Sequence, residues 1–317
     1  LMIDKSNIIR ILSYSVIAFI FSYLINNILT VWYNWPGVSK LFTELTSTEK
    51  SLSFFQLFIY FISIILVIVY ILKTKKQKLD KDSKILSSIS AYLIRSAFWA
   101  VFLLGIVDLL ISFLAVEKFL EVIFNENIKF KLIAPSFRIT YIHLPIILSS
   151  FVIGYFTRTT GFIWLAVLVV FSEFSIVLSR FIFSYEQAFQ GDLVRFWYAA
   201  LFLFASAYAL IHEGHVRVDV LYSKFPRKRK AWTNSLGSIL LGVPLCLIVI
   251  FLGMNGKASI INSPILSFEV TQQGSNGLYL KYLMAGYLGI FAVSMLVQFI
   301  SYFMNSTHEL LKNLSKK

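Results

Sequence analysis

Charged residues are scarce in this sequence. Asp, Glu, Lys and Arg make up 14% of its 317 residues, whereas a soluble domain carries roughly 25%. Hydrophobic residues make up 58%, and the mean hydropathy is +0.76. A chain with so few polar side chains cannot cover a water-exposed surface. We therefore expect an all-α integral membrane protein, because its apolar runs are long enough for membrane-spanning helices.

Cysteine is almost absent, and acidic residues are in the minority. Cys246, the one cysteine, lies inside an apolar run, which excludes a disulfide framework and a cysteine-based metal site. Lys and Arg number 29 against 16 Asp and Glu, for a formal net charge of +13. Such a charge can indicate nucleic acid. The basic residues occupy short segments between apolar runs, however, so we expect no nucleic-acid partner.

Motifs for catalysis and cofactor binding are also missing from the sequence. It contains no P-loop, dinucleotide fingerprint, nucleophile elbow or paired Glu-x-x-His metal motif. It also lacks the interrupted, Gly-rich helices that mark the midplane site of a secondary transporter. We therefore expect a membrane scaffold that holds no cofactor and is not an enzyme.

The sequence does contain eight apolar runs of the length that crosses a bilayer. The run after the opening "LMIDKSNIIR" is too long for a signal-peptide core and lacks a small-residue cleavage site, so we expect a retained helix. The eight runs cover roughly 9–33, 52–73, 88–116, 139–157, 161–183, 194–212, 231–254 and 278–304.

Lys and Arg residues between these runs indicate the orientation. If the N-terminus is cytoplasmic, the basic segments at 73–84 and 224–230 also lie in the cytoplasm, as the positive-inside rule requires. We therefore predict that both termini are cytoplasmic. The segment 224–230 would then also face anionic phospholipid.

The sequence texture, meaning the placement of polar and charged segments between the apolar runs, divides the chain into two regions. Residues 1–157 hold four generic passes and a charged linker, "KTKKQKLDKDSK". Residues 158–317 hold four passes, a polar stretch at 211–232 and outer segments at 184–193 and 255–277. We expect an accessory four-helix membrane region at 1–157 and a second four-helix domain at 158–317.

The polar stretch "IHEGHVRVDVLYSKFPRKRKAW", residues 211–232, resembles a zinc-protease signature. That signature needs two histidines four residues apart on one helix face. His212 and His215 are three apart, and Gly214 interrupts the helix at a predicted membrane boundary. We expect no metal here; the alternative is an intramembrane metallohydrolase that uses His212, Glu213 and His215.

The same stretch brings a carboxylate, a guanidinium and an imidazole together. On an extended segment, His215, Arg217 and Asp219 point to one face. On a helix, His215 and Asp219 are i,i+4 partners instead. In either case we expect the three side chains to hold a structural elbow through charge-assisted hydrogen bonds.

Acidic residues inside apolar runs are costly and are functional by default. Asp108 lies in the third run and Glu173 near the middle of the fifth, with Arg180 seven residues later on the same helix face. These residues could form buried polar contacts between helices or contact a partner subunit. A further alternative is a stand-alone ion- or proton-coupled carrier that uses Asp108 and Glu173.

The segment "SAYALIHEGHVRVDVLYSKFPRKRKAW" resembles the cytoplasmic elbow of the DctQ family, the small membrane subunit of TRAP (tripartite ATP-independent periplasmic) transporters. The shared pattern is a helix ending in small and apolar residues, a His-Val-Arg-Val-Asp turn, and a basic segment that enters the next helix. "LSRFIF" at 178–183 and "GDLVRFWYAALF" further on resemble the family's preceding segments. The resemblance covers about 158–305.

The resemblance implies a small permease subunit in the bacterial inner membrane. In this family a large DctM-like membrane subunit carries the substrate and sodium sites, and a periplasmic binding protein delivers an organic acid. The small subunit acts as the membrane scaffold of the large one and helps the binding protein dock. The four passes in residues 1–157 exceed the usual four-helix subunit, which suggests an enlarged variant.

Overall fold

The computed structural model describes residues 4–42, 46–158, 161–211, 222–270 and 277–314. These residues form helices and connecting turns, with no strand among them. The helices are α1 (Lys5–Trp32), α2 (Ser47–Lys73), α3 (Leu79–Val116), α4 (Phe119–Ile123), α5 (Glu126–Ile133), α6 (Pro135–Arg138), α7 (Leu144–Phe156), α8 (Phe162–Phe183), α9 (Ala188–Ile211), α10 (Arg227–Gly237), α11 (Val243–Gly253), α12 (Asn262–Leu266) and α13 (Lys281–Leu314).

Eight helical stretches in the described residues are long and apolar enough to cross a membrane. Two of them are composite: α6 and α7 form the stretch Pro135–Phe156, and α10 and α11 form Arg227–Gly253. The remaining six are α1, α2, α3, α8, α9 and α13. The predicted all-α membrane fold with about eight passes is confirmed, and the side on which the termini lie stays a prediction.

A proline explains why each composite stretch is interrupted. The π-helical turn Ile139–His143 precedes Pro145, and the π-helical turn Ser238–Gly242 precedes Pro244. Proline has no N–H to donate, and its ring collides with the carbonyl four residues earlier. The local widening to a π turn relieves both conflicts within a continuous helix, as membrane helices allow.

The chain divides into two compact units. The first consists of Leu1–Ser88, Val216–Asn262 and Met295–Lys317. Within it α1 packs against α2. The amide of Asn26 donates to the carbonyl of Gln56 at 3.1 Å, and that of Asn27 to the carbonyl of Met254 at 2.6 Å. Polar side chains inside apolar helices therefore serve helix packing here.

The second unit consists of Ile89–His215 and Ser263–Ser294, and in it α8 packs against α9. Small residues let its helices approach closely. A Cβ added at Gly105 would lie 2.5 Å from the indole nitrogen of Trp197, which itself donates to the carbonyl of Val101 at 3.3 Å. Glycine is therefore required where α3 meets α9.

The compact units differ from the two regions defined by sequence texture. Boundaries between them fall inside α3, α12 and α13, and each unit takes segments from both 1–157 and 158–317. The units describe packing in space, whereas the division at 157/158 describes composition along the chain. That division stays a prediction.

Candidate functional site

The three residues predicted to lie inside the membrane differ in how deeply the structure buries them. Asp108 is fully buried in α3, whereas Glu173 and Arg180 are exposed on α8. Arg180 does not pair with Glu173: its Nε and Nη2 donate to Oε2 of Glu186, at 2.8 and 2.5 Å. The three residues therefore do not form one site.

The residues on which the predicted elbow and its metal alternative depend lie outside the described part of the chain, which resumes at Tyr222. They are the three structural residues and the two further residues of the metal alternative, namely His215, Arg217, Asp219, His212 and Glu213. The elbow and the metal alternative both stay predictions.

Asp108 is the centre of a buried charge cluster in the second unit. Its Oδ1 accepts from Nη1 of Arg138 at 2.9 Å and lies 3.1 Å from Nε2 of His143. Its Oδ2 accepts from the backbone N–H of Tyr279 at 2.7 Å. Asp108, Arg138 and His143 are all at most 1% exposed. Both carboxylate oxygens are therefore occupied by donors from this chain.

The guanidinium of Arg138 is held on several sides. Its Nε donates to the carbonyl of Leu132 at 3.0 Å, and its Nη1 also reaches Oγ of Ser112 at 3.3 Å. The central carbon lies 4.1 Å from the centre of the Tyr279 ring, within cation–π range. Tyr279 therefore offers the face of its ring to the buried cation.

His143 connects the cluster to α13. It ends the π-helical turn that precedes Pro145, and its ring lies parallel to that of Tyr282. Its Nδ1 is 2.9 Å from the Tyr282 hydroxyl. If Nε2–H donates to Asp108 and Nδ1 accepts from Tyr282, both ring nitrogens are satisfied.

Two carboxylates also bind the backbone just before α13 begins. Asp108 accepts from the N–H of Tyr279, and Oδ2 of Asp192 accepts from the N–H of Leu278 at 3.1 Å. Helix N-termini carry unpaired N–H groups and a partial positive charge. The two acids therefore stabilise the start of α13 at Lys281. This arrangement fixes structure, and each oxygen of Asp108 already accepts from a donor of this chain.

A second buried ion pair lies in the first unit. Nε of Arg10 donates to Oδ2 of Asp82 at 2.5 Å, and both side chains are fully buried. Arg10 also donates to the carbonyl of Thr74 at 2.8 Å, and the Tyr14 hydroxyl donates to Asp82 at 3.0 Å. The pair ties the start of α1 to the end of α2 and the start of α3. In the sequence these residues look like ordinary flanking charges, and no local pattern connects them.

Glu173 has a quite different environment from Asp108. It is the twelfth residue of the 22-residue α8, about 16 Å from the helix start at 1.5 Å per residue. Its side chain is exposed. Only 11% of the most apolar stretch of α8 is buried, against 33% for α9. α8 therefore has an exposed carboxylate near the middle of a membrane-spanning helix, and little of that helix is buried.

Large apolar side chains accompany Glu173 along α8. They recur every three or four residues, the spacing of a helix-packing seam. We call them the α8 stripe: Ile163, Val167, Val170, Phe174, Val177 and Phe181, each at least 46% exposed.

The described residues contain no group of three His, Cys, Asp or Glu side chains placed to hold a metal ion.

Comparison with known proteins gives one finding. The family model described as "Tripartite ATP-independent periplasmic transporters, DctQ component" matches residues 166–306, from within α8 to near the end of α13. No curated protein and no solved structure matches the chain.

Proposed function

We propose that this chain, whose residues 166–306 match the family model of the DctQ component of TRAP transporters, is the small permease subunit of such a transporter and the membrane scaffold of a larger, DctM-like subunit. In this proposal the larger subunit carries the substrate and sodium sites and moves, while this chain stays fixed. The complex would lie in the bacterial inner membrane and take up an organic acid delivered by a periplasmic binding protein.

The exposed carboxylate of Glu173 carries the proposal. A charged side chain at the centre of a lipid-facing helix costs roughly 2.5–3.5 kcal/mol on insertion scales. The described residues offer Glu173 no hydrogen bond or ion pair. A partner helix that brings a donor to Glu173 and packs on the α8 stripe would remove that cost. A small permease subunit has such a neighbour in the large subunit.

The buried cluster around Asp108 supports the same role. A scaffold needs rigid helices, and buried polar groups whose hydrogen bonds are all made hold neighbouring segments in fixed positions. Both oxygens of Asp108 are occupied within the chain. A stand-alone carrier that uses Asp108 and Glu173 would need at least one of these acids to face a pathway through the protein. Asp108 is enclosed, and Glu173 faces outward.

Site-directed cross-linking tests the proposed interface. In a Cys246→Ser background we would introduce Val177→Cys on the α8 stripe, co-express the chain with the large subunit of its transporter, and add a bifunctional thiol reagent that also reacts with lysine. Ile62→Cys on α2 is the matched control, because the two side chains are similarly exposed, 46% and 42%. α2 has no acidic residue beyond Glu49 in its first turn.

We expect Val177→Cys, but not Ile62→Cys, to yield an adduct of the two subunits. Glu173→Gln should reduce recovery of the complex without changing the folded yield of the chain alone. Equal labelling from both cysteines, with complex recovery unaffected by Glu173→Gln, would refute the interface. Sodium-driven uptake by this chain alone in liposomes would refute the scaffold role itself.

A further inference from the structure

An apolar groove lies in the first compact unit, at the end where α1 and α10 begin and α13 finishes. Its volume is about 340 Å³, within the roughly 300–1,000 Å³ range of small-molecule sites. It is lined chiefly by aliphatic and aromatic side chains, among them Leu12, Val16, Trp232, Leu236, Ile239 and Phe303. A packed helix of about 10 Å diameter would fill this volume in less than one turn, so the groove suits a thinner apolar chain.

One of the lining residues, Ser13, has a buried polar atom without a partner among the described residues. The residue is 5% exposed, and the atom is its hydroxyl oxygen. Many serines inside apolar helices donate to a carbonyl of their own helix, as Ser172 does to Leu168. A buried hydroxyl without a partner is destabilising. A ligand that fits the groove should therefore supply an acceptor next to its apolar part.

Positive charge is concentrated in the first turn of α10, the helix whose later residues line the groove. α10 opens with four consecutive basic residues at 227–230, and its first turn contains no acidic residue. Arg227, Lys228 and Arg229 are exposed, and Trp232 lies in the groove only two residues after this run. The unpaired N–H groups and the dipole at the start of α10 add to the attraction for an anion.

The ends of the neighbouring helices do not neutralise this charge. The described residues at the start of α1 contribute Asp4 and Lys5, and the last turns of α13 contribute Glu309 and Lys312. Arg10 is turned away into its pair with Asp82. The end of α2 and the start of α3, which Arg10 ties to the start of α1, add further lysines at this end of the unit, namely Lys73, Lys75, Lys76, Lys78, Lys81 and Lys84. This end is therefore positive as a whole, and the basic run of α10 is the part that immediately precedes the groove-lining Trp232.

We propose that the groove holds one acyl chain of an anionic phospholipid, with its phosphate bound by the basic first turn of α10 and an ester carbonyl accepting from Ser13. A phospholipid has three features that match this site. Its thin apolar chain fits the groove, its ester carbonyl can accept from Ser13, and its phosphate can pair with the basic turn of α10. Trp232 suits the boundary between chain and headgroup, where tryptophan is enriched.

Native mass spectrometry of the purified full chain tests this. The probes are phosphatidylglycerol, phosphatidylcholine with identical acyl chains, and glycerophosphoglycerol without chains. We expect one retained phosphatidylglycerol per chain, with an affinity about tenfold above that for phosphatidylcholine, since basic residues near the surface favour anionic lipid. Glycerophosphoglycerol should neither bind measurably nor displace it, which separates a lipid site from a phosphate site.

Two variants locate the site. Changing Arg227, Lys228 and Arg229 together to Gln should weaken phosphatidylglycerol binding about tenfold. The matched control changes Lys73, Lys75 and Lys76 to Gln, which removes the same charge from exposed positions outside the groove lining. Ser13→Leu narrows the groove and should reduce retention of either lipid, whereas Ser88→Leu on the exposed face of α3 should not.

Each outcome of this design decides the proposal. Equal binding of the two lipids, or equal losses in the two charge-neutralised variants, would overturn it. Loss of the lipid on assembly with the large subunit, with Trp232→Cys cross-linking to that subunit, would also overturn it and would identify a protein occupant. Retention of the lipid in the complex would support it and is independent of the α8 interface.

Discussion

Asp108 accepts a hydrogen bond at 2.7 Å from the backbone N–H of Tyr279, a residue 171 positions later in the chain. The contact joins the 1–157 region to the segment that precedes α13. Arg138 completes the pairing, because it donates to Asp108 and lies over the Tyr279 ring. One carboxylate thus fixes both a side-chain cation and the start of the last spanning helix.

Replacing Asp108 by asparagine should destabilise the chain strongly. The amide oxygen of the new side chain could still accept from Tyr279, but Arg138 would be left as a buried charge without its counter-ion. Breaking a buried pair in this way costs about 3–5 kcal/mol. Unfolding of the purified chain in mixed detergent, followed by circular dichroism, measures the loss.

Asp80→Asn is the matched control for this change, since Asp80 is on the same helix and pairs with Lys84 at an exposed site. We expect it to fall within about 0.5 kcal/mol of the parent. Arg138→Met added to Asp108→Asn should recover part of the loss, because it removes the unpaired cation. Similar losses for Asp108→Asn and Asp80→Asn would contradict a structural role for the buried cluster.

Much of this fold follows from the sequence, because a span needs about 20 apolar residues wherever it lies. Asp108 is identifiable because a carboxylate inside an apolar run is unusual. Its partners are not, since Arg138 precedes the fourth apolar run and no local pattern connects it to Asp108. Tertiary packing alone selects a partner 30 residues away.

Arg180 illustrates a different limit of sequence reasoning. Its spacing of seven from Glu173 places both on one helix face, yet it pairs with Glu186. The reason is local: α8 ends at Phe183, and Ser184 adopts a left-handed conformation with φ of 58°. The chain therefore turns, and Glu186 comes within reach of Arg180. A left-handed conformation is uncommon for a serine, so the sequence does not indicate a turn at this position.

The division at 157/158 can be tested by splitting the chain there. Asp108, Arg138 and His143 lie in 1–157, whereas the Tyr279 N–H and the Tyr282 hydroxyl that they contact lie in 158–317. We expect 158–317 alone to give a low folded yield, measured as the monodisperse fraction in size-exclusion chromatography. Co-expression with 1–157 as a separate chain should restore it.

The Asp108→Asn form of the 1–157 fragment is the control for specific complementation and should restore less. If 158–317 alone is as monodisperse as the intact chain, residues 1–157 are accessory, as their sequence texture predicts. The two results separate a region that merely adds surface from one that supplies the core.

The Arg10–Asp82 pair should show strong coupling in a double-mutant cycle. Asp82→Leu alone leaves a fully buried guanidinium without its counter-ion, and we expect a loss of about 3–5 kcal/mol. Arg10→Met with Asp82→Leu should cost less than Asp82→Leu alone, since apolar replacement of a whole buried pair is often nearly neutral. Detergent unfolding of the four proteins gives the coupling energy. Additive effects would show that the two side chains act independently.

The elbow at 212–232 remains a prediction from sequence, because 212–221 lie outside the described part of the chain. Arg217 would lie near the ends of neighbouring helices, where unpaired carbonyls attract a cation. Asp219 would pair with Arg217 or accept from N–H groups of the segment that follows. These two roles depend on each other, whereas His212 has no part in them.

Arg217→Ala and Asp219→Ala should therefore each lower the folded yield or assembly with the large subunit, and by similar amounts. Removing one member of a partly buried charge pair can cost several kcal/mol, because the other is left unpaired. His212→Ala should have a mild effect, and treatment with a chelator should change neither yield nor assembly. Elemental analysis of the purified chain checks the metal directly. One zinc per chain, lost together with a hydrolytic activity on His212→Ala, would refute the structural elbow and establish the metallohydrolase.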